Sequence, residues 1–134
     1  MGAIHALLGF AGWTLLLVLV VFGYRGFRFL TGTPINAWPR GSRPEDEAGF
    51  AIRAGDAHAN AVENLVVFAV IVLAAQALGR IDAIAAFAIW VFYARVGQSV
   101  AHLIGTSQPL VLIRASFWAV QLFLMLWMLW QLFV

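Results

Sequence analysis

Apolar residues fall into four long stretches along the chain, separated by short polar breaks and one longer polar connection. The first runs from about Ile4 to Tyr24, with an uncharged centre from Trp13 to Phe22. The second runs from about Ala57 to Leu78, the third from Asp82 to about Leu103, and the fourth from about Leu110 to Val134. Roughly 30 Å of hydrocarbon is crossed at about 1.5 Å per helical residue, so a spanning helix needs about 20 mostly apolar residues. Each stretch meets that length. The pattern therefore predicts an all-α membrane protein, a four-helix transmembrane bundle forming a single domain over 1–134 with no room for a soluble one. The first stretch is too long for a signal-peptide core and has no Arg or Lys ahead of it, so it is expected to be a retained first helix.

The longer connection, from about 31 to 50, holds Pro34, Pro39 and Pro44 and the run Glu45-Asp46-Glu47. Ser42 followed by Glu45 is a capping-box spacing, and a proline is tolerated in a first helical turn. An acidic run also complements the positive end of a helix dipole. The second helix is thus expected to begin near Ser42 or Pro44, with a kink near Gly49 or Gly55.

Composition sharpens this picture. The 134 residues are 63% hydrophobic and 10% charged, with a mean hydropathy of +0.93. Soluble domains average roughly 45–50% apolar and about 25% charged, so a soluble monomer, a disordered tail and a collagenous segment are excluded. With no cysteine, disulfides, thiolate metal sites and cysteine nucleophiles are excluded too. All 8 basic residues are arginine, and a net charge of +2 is too small and scattered for a nucleic-acid partner. Arg25, Arg28, Arg40, Arg43 and Arg53 lie between or beside the first two spans and Arg114 opens the fourth, whereas the opposite side carries only Arg80. By the positive-inside rule, the first and third loops face the cytoplasm. A bacterial inner membrane suits such a chain.

Ionisable groups within spans are costly and therefore candidates for function. At about 100° per residue, Arg53, Asp56, Asn60 and Glu63 share an arc of roughly 80° on the second helix, with His58 nearly opposite. Arg95, Gln98, Ser99 and His102 share roughly 100° on the third, with Tyr93 facing away, and Gln121 lies on nearly the same face of the fourth helix as Arg114. All sit toward the cytoplasmic ends of their helices. Together they would line a polar, cationic cavity suited to a small anionic or zwitterionic ligand. The alternative is structural: Arg53 paired with Asp56 or Glu63, and Arg95 with a carboxylate on a neighbouring helix. His58 reads as a helix–helix hydrogen bonder. A metal site is not expected, because His58 and His102 lie on different helices and no H-x-x-x-H pattern occurs.

The segment Arg53-Ala54-x-x-Ala57-His58-x-Asn60-x-x-Glu63, followed by Phe68, closely resembles the second-helix signature of the MAPEG family, the membrane-associated proteins in eicosanoid and glutathione metabolism. Four spans, a long first loop and a basic third helix with Tyr93-Ala94-Arg95-Val96 extend the resemblance over the chain. It implies a homotrimer that binds glutathione between adjacent subunits and takes a lipophilic second substrate from the membrane lipids. It further implies that Arg53, Asn60 and Glu63 bind or shape the glutathione site, with Glu63 holding the ammonium and arginines the carboxylates. Arg95 stands at the family's basic position in helix three, and Gln98 and His102 stand where relatives often carry histidine and tyrosine. Arg114 is the catalytic candidate, since a cation near sulfur lowers the thiol pKa and raises the nucleophilic thiolate fraction; Ser116 and Ser107 are weaker alternatives. Asp56 departs from the pattern, standing where many relatives carry an arginine. The implied activity is a glutathione-dependent transferase or peroxidase acting on lipophilic electrophiles or lipid hydroperoxides. The alternative is a non-catalytic lipid-binding or scaffold member, or an accessory subunit of a larger membrane complex. A channel or transporter is disfavoured, because neither paired broken helices nor an inverted repeat is evident.

Overall fold

The computed structural model describes residues 2–134 as four helices: α1 (Ala3–Leu30), α2 (Gly49–Ala77), α3 (Ile81–Ile104) and α4 (Gln108–Phe133). A single 3-10 turn, Ile35–Ala37, interrupts the first loop, and no strand occurs among the described residues. All four helices are long and apolar enough to cross a membrane.

α3 is the centre of the bundle and packs against α1, α2 and α4; α1 also packs along α2, and α4 touches α2 more lightly. Small side chains make the close approaches possible, because in lipid helices associate through packing rather than through expulsion of water. Ala6, Ala54, Ala57, Ala61, Ala75 and Ala88 are buried where helices meet. Phe10 of α1 and Phe68 of α2 stack with ring centroids 5.5 Å apart, and Ile84, Val91 and Met128 complete the core. Gly97 of α3 lies against the ring of Phe117 on α4, where an added Cβ would stand 2.8 Å from Cζ. Outside this core, Phe22, Leu73, Phe123 and Leu126 are exposed, as expected where hydrocarbon is the solvent.

The helix ends differ from the sequence expectation at the first loop. α1 continues past Tyr24 to Leu30. Its added turns place Arg28 at the negative end of the helix dipole. There Arg28 donates to the Tyr24 hydroxyl at 2.9 Å and forms a 3.0 Å ion pair with Asp46. α2 does not begin at Ser42 or Pro44; it begins at Gly49, with Ala48 as an N-cap that makes no side-chain bond. The acidic run is committed elsewhere. Asp46 holds Arg28, while Glu47 accepts from Trp38 Nε1 at 3.0 Å. Ser42 and Pro44 belong instead to turns closed by Ser42 N–H to Pro39 and Glu47 N–H to Pro44. The Tyr24 hydroxyl accepts from the Ala48 N–H at 3.0 Å, tying the start of α2 to α1. α2 then runs unbroken through Gly55.

At the other end of the bundle, Gly79 takes a left-handed φ of 67° in the α2–α3 turn. Arg80 beside it donates to the Leu132 carbonyl at 3.2 Å, satisfying an acceptor that the end of α4 leaves open. His58 links α2 to α1 through Nδ1 and the Thr14 carbonyl at 3.1 Å.

Candidate functional site: a polar cleft within the bundle

The two polar arcs meet. Asp56, Asn60 and Glu63 of α2, Gln98 and His102 of α3 and Arg114 of α4 line one cleft of about 300 Å³. Asp56 and Glu63 are exposed on the single chain and neither has an ion-pair partner among the described residues. The same surface of α2 exposes Val62, Val66, Val67 and Val70. Carboxylates are thus presented beside an apolar stripe on a helix long enough to span a membrane.

The floor of the cleft is a hydrogen-bonded chain through three helices. Arg95 Nη1 donates to Asn60 Oδ1 at 2.6 Å, and Gln98 Nε2 donates to the same oxygen at 3.2 Å. Gln121 Nε2 of α4 in turn donates to Gln98 Oε1 at 2.8 Å. Because an arginine only donates, this geometry fixes the amide of Asn60: its oxygen is consumed and its NH₂ remains for the cleft it lines. Gln98 spends both ends of its amide on protein partners. It serves as a fixed wall rather than a free donor.

Arg95 itself lies beneath the cleft, at 1% exposure. Its guanidinium carbon stands 5.4 Å from the centroid of the Phe10 ring, a cation–π arrangement that offsets part of the cost of burying the charge. Its Nε and Nη2, together with Ser99 Oγ and Gln121 Oε1, have no protein partner among the described residues. Arg53 also stands apart from the cleft lining. It donates through Nε to the Leu103 carbonyl at 3.0 Å, placing a cation on the negative end of α3. The ion pairs considered for Arg53 and Arg95 from sequence do not form; the ion pair among the described residues is Arg28–Asp46. Ser116 spends its hydroxyl on the Leu112 carbonyl at 2.8 Å, and Ser107 makes no side-chain cap to α4.

Sequence periodicity located Gln121 on the Arg114 face without assigning it a task. Its link to Gln98 depends on how α4 crosses α3, which the sequence does not state. No group of histidine and carboxylate side chains suited to a metal ion occurs among the described residues.

The cleft can therefore offer carboxylates to a cation, an arginine to an anion and an oriented amide between them. A family model described as MAPEG family matches residues 3–134, and the chain belongs to that family. It is accordingly an integral, multi-pass membrane protein of a glutathione-associated family. No curated protein and no solved structure matches the chain.

Proposed function

We propose that the protein is a membrane-embedded glutathione-dependent transferase or peroxidase acting on lipophilic electrophiles or lipid hydroperoxides. The observation that carries this reading is the convergence of Glu63, Asn60 and Arg114 on one cleft beside an apolar helix face. Glutathione carries an ammonium, two carboxylates and a thiol. Glu63 supplies a counter-charge for the ammonium, the Asn60 NH₂ a donor for a carbonyl or carboxylate, and Arg114 a cation for the thiolate. Gln98 and His102 complete the wall. Arg53 and Arg95 act by holding the α3 end and Asn60 in place. In conjugation, the thiolate sulfur forms a bond to the electrophilic carbon while the leaving group departs with its electron pair. In peroxide reduction, two thiols become a disulfide as the hydroperoxide becomes an alcohol and water.

The exposed carboxylates and valines of α2 favour a homotrimer in which a neighbouring copy closes the cleft. We place the arginine-rich loops in the cytoplasm, with a bacterial inner membrane as the setting, and treat residues 1–134 as one domain. Asp56 on the cleft wall favours a second reading: a non-catalytic member that binds lipid or serves as an accessory subunit, because a carboxylate there repels an anionic ligand.

The test is the ultraviolet absorbance of bound glutathione thiolate at neutral pH, in wild type and Arg114→Ala. The thiolate signal should appear with wild type and fall by about tenfold or more in the variant while the assembly stays intact. An undiminished signal removes Arg114 from the mechanism.

A further inference from the structure

We infer that a second pocket, between the first loop and α2, binds a phosphate-bearing anion independently of the thiol chemistry. This cavity measures about 650 Å³, and its wall includes Arg25, Arg40 and Arg43. It meets the polar cleft along Asp56 and Ala59, which line both.

A census of the arginines singles this pocket out. Arg28 is neutralised by Asp46, Arg53 is spent on the Leu103 carbonyl, Arg80 on the Leu132 carbonyl and Arg95 on Asn60. Of the remaining four, Arg114 lines the polar cleft. The other three converge here, and none has a carboxylate or hydrogen-bond acceptor among the described residues.

The pocket wall is also braced. Arg25 lies with its guanidinium carbon 5.7 Å from the Trp38 ring centroid, and Trp38 is held by Glu47. The Arg28–Asp46 pair and the Tyr24–Ala48 bond anchor the end of the same loop to α1. Gly41, at a φ of 80°, turns the chain between Arg40 and Arg43 so that both flank one cavity.

Two carboxylates face the cavity as well, Glu47 and Asp56. Glu47 accepts from the neutral Trp38 indole and keeps its charge, and Asp56 stands at the rim shared with the cleft, so Arg25, Arg40 and Arg43 still outnumber the carboxylates. Guanidinium groups bind phosphate oxygens in paired, charge-assisted hydrogen bonds. The pocket lies at the ends of two spanning helices, the depth at which lipid headgroups sit, and basic clusters there attract anionic lipid. A phospholipid headgroup and a soluble phosphate share this chemistry.

The experiment is native mass spectrometry of the full chain in detergent with added phosphatidylglycerol or phosphatidylcholine, alongside calorimetric titration with inorganic phosphate. The variant is Arg40→Gln/Arg43→Gln, whose positions are exposed and make no structural bond. Retention of phosphatidylglycerol but not phosphatidylcholine, reduced about tenfold or more in the variant, supports a headgroup site. Saturable phosphate binding lost in the variant, without lipid retention, supports the pocket with a soluble ligand. Binding of neither probe, equal binding by the variant, or displacement of the bound anion by glutathione overturns the inference.

Discussion

Asn60 is held by Arg95: the guanidinium Nη1 of α3 donates to the amide Oδ1 of α2 across 2.6 Å, beneath the cleft. A buried cation thereby orients a neutral side chain, and the amide NH₂ is left for the cleft. Removing the acceptor leaves a donor buried without its partner, which costs about 1–3 kcal/mol. Asn60→Leu should lower the thermal midpoint in a fixed detergent accordingly, whereas Asn60→Asp, which keeps an oxygen for Arg95, should not. Equal midpoints for Asn60→Leu and wild type would mean that this bond carries no stability.

Gly97 sets how closely α4 lies on α3. A methyl group there would stand 2.8 Å from Cζ and 2.9 Å from Cε1 of Phe117, and such overpacking costs about 1–3 kcal/mol. Gly97→Ala should destabilise the bundle by up to that amount, as the tip of the half-buried Phe117 ring is forced to shift. Trimming the ring in Gly97→Ala/Phe117→Leu should recover part of the loss, and the absence of recovery would point to a different cause.

The first loop should respond to acid. Hydrogen bonding and charge attraction from Arg28 hold the Asp46 carboxyl below its ordinary value of 3.8. A carboxylate depressed in the folded state contributes stability above its unfolded pKa and loses it as pH falls through the folded value. The protection factor of the Ala48 amide, its exchange rate taken relative to the unprotected rate at each pH, should therefore fall below about pH 4 in wild type. Asp46→Asn should show the lower protection factor already at neutral pH, with little further change on acidification. Identical profiles would show that the ion pair does not restrain the loop.

Asp56 stands on the wall of the cleft, with no cation paired to it among the described residues. Replacing it with arginine turns a repelling charge into an attracting one. Asp56→Arg should bind glutathione about tenfold more tightly or better, a conservative figure for one reversed charge near a partly buried anion. Unchanged or weaker binding in titration calorimetry would place Asp56 away from the ligand.

The helices were legible because lipid demands long apolar runs, and those of α2, α3 and α4 end close to where hydropathy falls. α1 runs beyond the apolar stretch that ends at Tyr24, because Arg25 lies over the Trp38 ring and Arg28 bonds to Tyr24 and Asp46, contacts that charge pattern alone does not show. α2 starts at Gly49, later than Ser42 or Pro44, for a related reason. Glu45-Asp46-Glu47 has the chemistry of a cap, yet Asp46 and Glu47 are claimed by residues distant in sequence. Helical periodicity groups Arg53 and Arg95 with the cleft residues, whereas neither lines the cleft. Both proved to hold backbone or amide oxygens, and the joining of Gln121 to Gln98 rests on a helix crossing that no local pattern encodes.

Glutathione held in the cleft lined by Asn60, Glu63 and Arg114 must bind saturably and lean on Glu63. The most direct measurement is calorimetric titration of the purified wild-type assembly with glutathione, repeated with Glu63→Gln. Saturable binding that weakens about tenfold or more in Glu63→Gln is the predicted result, since the ligand's ammonium loses its counter-charge. No saturable heat with wild type, or equal affinity in the two proteins, would contradict it.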